Sequence, residues 1–115
     1  MLQVLFNSYI ADEINSEVLV GGGSAIPGDA GPVAVLCTVH IAGTAPAEVV
    51  ATTRLLTSDD QETWTTLAIC STFGAGSQDK TITHVPRALF QAHLKPETEG
   101  SNGNPNGGGT VAIVY

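Results

Sequence analysis

Aromatic side chains are scarce in this 115-residue sequence, which has one Trp, two Tyr and three Phe. A core built on stacked rings is therefore excluded. It has to come from Val, Leu, Ile, Ala and Thr, a set that suits strands because β-branched residues pack well on a pleated surface. Basic residues are also few: four Lys plus Arg stand against eleven Asp plus Glu, for a net charge of −7. Nucleic acid is a poor partner for such a chain, since binding a polyphosphate depends on cationic side chains that release counterions. The same deficit argues against anionic membranes, and no apolar run approaches the ~20 residues of a membrane-spanning helix. The only cysteines, Cys37 and Cys70, lie in apolar strand-like runs without CxxC or Cys/His zinc spacing. Two buried thiols are expected, and a disulfide stays open if their strands are neighbours. The N-terminus Met1–Phe6 has no basic stretch before its apolar residues and soon meets Asp12 and Glu13, so synthesis and folding in a cytoplasm are expected.

What the chain does have is short strand-like runs between Gly, Pro, Asn and Asp clusters. Residues 2–11 read as a first strand and 17–20 as a second. The stretch 21–32, holding Gly21, Gly22, Gly23, Pro27, Gly28, Gly31 and Pro32, permits neither helix nor central strand and is expected to be a long loop or an arm. From Val33 to Ile41 every odd residue is apolar, the period of a strand with one buried face. Residues 48–57 form another strand whose two sides differ little in polarity. Ser58-Asp59-Asp60-Gln61-Glu62 signals a turn, and 64–70 resumes a strand, making 48–70 a β-hairpin. Further strands are expected at 81–85 and 88–94, on either side of Pro86, and at 110–115. The Asn/Gly-rich segment 96–109 is expected to be an exposed, mobile loop without a core anchor. The total is seven or eight strands in one domain spanning 1–115: an all-β, antiparallel β-sandwich, with a jelly roll or a small barrel as the options.

No constellation for catalysis emerges. His40, His84 and His93 fall in strands with no nucleophile elbow nearby, and Gly21-Gly22-Gly23-Ser24 lacks the ending of a phosphate loop. Asp59 and Asp60 lack the ligand spacing of a calcium loop, and adjacent acids on a hairpin tip rarely face one cleft as a glycosidase pair must. No catalytic residue, metal or cofactor is expected. Trp64, the one tryptophan, reads as a ring over the core or as a stacking platform for a sugar.

The segment Leu55-Leu56-Thr57-Ser58-Asp59-Asp60-Gln61-Glu62-Thr63-Trp64-Thr65-Thr66-Leu67 resembles a hairpin of small β-sandwich virion proteins of tailed bacteriophages. Val85-Pro86-Arg87-Ala88-Leu89-Phe90 and the final strand Thr110–Tyr115 extend the resemblance, which spans residues 33–115. Gln61 departs from it where glycine is common, as does the long Asn/Gly loop. The resemblance implies a non-enzymatic virion component, made in the host cytoplasm: a capsid decoration (cement) protein or a head, neck or tail accessory protein. Its partner would be the major capsid protein or another virion protein. It would act as a homo-oligomer, a trimer being favoured, because many identical weak contacts add up on a symmetric shell. Trp64, Asp59, Asp60 and Arg87 are the candidate interaction residues. The 21–32 segment would be an arm that orders on the shell, and the first strand would pair with a neighbour. The competing expectation is a carbohydrate-binding module using Trp64 and the loops, since related hairpins occur there too.

Overall fold

Eight strands, β1 (Gln3–Tyr9), β2 (Ile14–Ser16), β3 (Val33–His40), β4 (Val50–Ser58), β5 (Thr65–Phe73), β6 (Gln78–Val85), β7 (His93–Ser101) and β8 (Gly108–Val114), make up the computed structural model. It describes Val18 and residues 20–115 with their side chains, and residues 3–9 and 14–16 as backbone strands. Two four-stranded sheets face each other, with orders β1-β8-β3-β6 (sheet A) and β2-β7-β4-β5 (sheet B). Strands β1 and β8, β2 and β7, β3 and β6, and β4 and β5 pair antiparallel. This is one long ribbon, doubled back at the β4–β5 turn and rolled so that β3 also meets β8 and β4 also meets β7. Such connectivity is that of the jelly roll, one of the options the strand pattern left open.

The alternation in β3 carries through: Val33, Val35, Cys37 and Val39 are buried, while Ala34, Leu36, Thr38 and His40 face outward. They join Leu55, Ala51, Leu94, Val111 and Ile113 in one core between the sheets. β4 shows why its two sides were alike in polarity. It is a central strand, and its outward side is covered as well, with Leu56 at 7% exposure and Ser58 fully buried. The 48–70 hairpin forms, with a β-bulge between Leu55 and Leu56 that leaves Leu67 as the extra residue of β5.

Several expectations are corrected. The second strand lies at Ile14–Ser16 instead of 17–20; Val18 and Val20 are exposed, Val20 in a turn, and residues 17 and 19 lie outside the described residues. The segment 21–32 is a loop packed on its own domain. It makes one turn of 3-10 helix at Gly23–Ala25, and Ile26 enters the core. Gly23 is required there, because a Cβ would run into the carbonyl of Gln91. β1 pairs with β8 of its own chain, where a neighbouring copy was expected. The 88–94 strand is replaced by a 3-10 turn at Arg87–Leu89 and a strand that starts only at His93.

The 96–109 segment is mostly strand. β7 runs on to Ser101 and β8 begins at Gly108, leaving a short loop between them. Pro96 is tolerated in β7 because β2 pairs only with Glu97–Glu99, so a missing N–H at Pro96 deprives no partner on that side. The loop also has its anchor. Pro105 is buried against Gly100, and its carbonyl accepts a hydrogen bond from Ala42 N–H at 3.0 Å.

Candidate functional site

The four residues singled out in the sequence divide among three places. Asp59 and Arg87 converge on the corner at residues 87–92. Arg87 uses its planar fork of donors fully: Nε donates to the carbonyls of Ile26 (3.1 Å) and Pro27 (3.2 Å), Nη2 to Ile26 (2.9 Å) and Gly23 (3.3 Å), and Nη1 to Phe90 (3.2 Å). A guanidinium suits this task because its five N–H groups reach several carbonyls at once. Asp59 receives the Ala92 backbone N–H and the Gln91 side-chain amide, both at 3.2 Å. Thr57 adds to the corner, accepting from Gln91 N–H and donating to the His93 carbonyl. His93 Nδ1 accepts from Gly21 N–H at 3.1 Å. These side chains fasten the 21–32 loop to the sandwich.

Asp60 organises the β4–β5 turn. Its Oδ1 accepts from Glu62 N–H, Thr63 N–H and Ser58 Oγ, each at 2.9 Å. Those donors, led by the Thr63 and Glu62 backbone, hold its carboxyl down at about 2. Gln61, at the position where the resemblance led one to expect glycine, adopts a left-handed φ of 62°. A turn that needs positive φ explains the glycine preference there.

Trp64 is half-buried on the outward face of sheet B. The Lys95 ammonium sits 4.4 Å from its ring centroid, a cation–π contact. From there a chain of charges crosses the face: Lys95 lies 4.0 Å from Glu97, and Arg54 bonds both Glu97 (3.2 Å) and Glu99 (2.6 Å). Arg54 was no candidate in the sequence reading. The register that places it opposite Glu97, with Glu99 two residues on, arises only when β4 pairs with β7.

Both cysteines are free thiols in the core. Burial, then the proximity of Cys70, pushes the Cys37 thiol up to about 12. Burial, then Asp79, whose Oδ2 accepts from Cys70 Sγ at 3.6 Å, raises Cys70 to about 11. Neutral, buried thiols of this kind are poor nucleophiles. A shallow groove of about 360 Å³ runs along β3 and β6, lined by Thr38, Val39, His40, Gln78, Asp79 and Lys80. Among the described residues no three His, Cys, Asp or Glu side chains gather as a metal site, and no helix is long and apolar enough to cross a membrane.

No family model matches the sequence, and no curated protein matches it. Solved structures with a related fold include a CBM4 structure, from a carbohydrate-binding module, at 10% identity and TM-score 0.48, over 96% of this chain and 66% of that one. The Gx strain of infectious bursal disease virus follows at 12% and 0.43, over 98% of this chain and 33% of that one. A protein of Bacillus endospore appendages, a family of disulfide-linked pili, stands at 8% and 0.34, over 99% and 84%. The chain thus spans about two thirds of the first of these and one third of the second. All three are weak likenesses of β-sandwich shape and do not bear on what this chain binds.

Proposed function

We propose that this chain is a non-enzymatic structural protein of a virion, a capsid decoration protein of a tailed phage that binds and stabilises the shell as an oligomer. The observation that carries the reading is how its polar side chains are used. Asp59, Asp60 and Arg87 are engaged in hydrogen bonds that hold the chain's own turn and loop. What remains for a partner is a pair of broad sheet faces with Ile69, Phe73 and Ile82 more than half exposed. Flat surfaces with apolar side chains suit another protein surface. The jelly roll is used by viral capsid domains and by lectins, so by analogy the fold supports the reading without choosing between them.

Against a sugar-binding role, one face of Trp64 is occupied by the Lys95 ammonium. Against hydrolysis, both turn acids already accept backbone N–H groups. The test is co-sedimentation of the purified protein with phage particles, followed by heating of the decorated particles. Saturable binding and a raised disruption temperature are expected. Glycan-array binding abolished by Trp64→Ala, without co-sedimentation, would replace this reading with the carbohydrate one.

A further inference from the structure

The outward face of sheet A differs in charge from that of sheet B. Strand register places Leu5, Ala112, Leu36 and Ile82 in one row across all four strands. Ile82 is 65% exposed, whereas Ala112, although on the outward face, is only 6% exposed and lies outside the core cluster. None of the outward register positions of sheet A carries Asp or Glu, and Lys80 is the only Lys or Arg among them. The outward face of sheet B, in contrast, carries Arg54, Lys95, Glu97 and Glu99.

We infer that the outward face of sheet A, centred on Leu36, Ala112 and Ile82, is a self-association surface whose occupant is the same face of a second copy of this chain. Charge selects that occupant. Two molecules that each carry −7 repel at nearly every approach, and a face without carboxylates is where they meet with least repulsion. The apolar row Leu36, Ala112 and Ile82 is flanked by uncharged polar positions and the single Lys80, so two copies of the face can meet across a twofold axis without opposing carboxylates. Its size sets the strength. Four strands ~4.8 Å apart and about seven residues long cover roughly 450 Å², so two copies bury on the order of 900 Å². This falls just short of the ~1,000 Å² of a specific stable interface. The pair is therefore weak and concentration-dependent in solution, and it closes at two copies in place of the expected trimer.

Sedimentation velocity across a concentration series tests this. The wild-type protein should pass reversibly from monomer to dimer. Ile82→Asp should weaken the dimer by roughly tenfold or more, and Lys80→Glu, which puts a carboxylate on the face without touching an apolar residue, should also weaken it. Ile69→Asp, at an exposed position on sheet B, should leave it unchanged, with circular dichroism confirming that each variant is folded. A wild-type protein that stays monomeric at millimolar concentration, forms a trimer, or loses its dimer to Ile69→Asp but not to Ile82→Asp or Lys80→Glu would overturn the inference. Dimerisation without particle binding would retire the proposed function and leave this surface standing.

Discussion

Asp60 and Arg87 show how single side chains hold loops that have little core of their own. Asp60 is fully exposed, yet its carboxylate gathers two backbone N–H groups and the Ser58 hydroxyl. Its folded-state pKa, about 2, lies below the ordinary 3.8. The ionised form is thus favoured by folding, and its contribution is present above pH 3.8 and lost as pH falls through about 2. The stability difference between wild type and Asp60→Asn, from urea melts at stepped pH, should shrink across that window and vanish near its lower end. Arg87 works by geometry instead of ionisation. Replacing it with lysine keeps the charge but not the fork, leaving the Gly23, Ile26 and Pro27 carbonyls short of donors. Arg87→Lys should cost about 2–4 kcal/mol in urea unfolding and open residues 21–32 to proteolysis. A substitution that left both unchanged would show that the loop is held by Ile26 burial alone.

At the scale of the element, β8 and the turn before it explain a run of glycines that looked like slack. A Cβ at Gly107 would meet the His40 carbonyl, and one at Gly109 would meet Thr53 Oγ1 and the Thr38 carbonyl. Gly109 therefore makes room in the core for the buried Thr53–Thr98 pair, which bridges β4 and β7 at 3.4 Å. Gly109→Ala should destabilise the fold by about 2 kcal/mol through overpacking, measured by thermal melts, and Thr53→Ala in the same chain should recover part of that loss. No recovery would mean that the Thr38 backbone is the obstacle. Local composition could not distinguish glycine as freedom from glycine as clearance. Only the facing strand supplies the atoms a side chain would hit, and that strand lies far away in sequence. The 88–94 segment is a similar case. Its alternating Ala88, Phe90, Ala92 and Leu94 read as a strand, yet only Phe90 and Leu94 reach the core. Pro86 and the Arg87 hydrogen bonds turn the chain before it can pair.

For the whole molecule, the doubled-back ribbon makes the two ends of the sequence depend on each other. β1 covers β8, β2 covers the edge of β7, and Ile26 fills the core between the sheets. Removing residues 1–32 is therefore expected to abolish cooperative thermal unfolding, followed by circular dichroism. An arm that orders only on the shell predicts instead a shortened chain that still melts as one unit, and that result would show the remaining six strands to be sufficient.

The chain's periodicity and turn residues determined on their own that it is all-β, that Val33, Val35, Cys37 and Val39 share a buried face, and that Ser58–Glu62 reverses a hairpin. Each depends on neighbours in sequence: alternation along a strand, or side chains bonding backbone two or three residues away. The tertiary structure alone decided the jelly-roll order, the burial of both sides of β4, the Arg54–Glu97–Glu99 cluster and the acid-free face of sheet A. It also gave Asp59, Asp60 and Arg87 their work in holding turn and loop. Those features depend on which strands become neighbours across dozens of residues, and a local pattern of apolar and polar side chains is compatible with more than one such pairing.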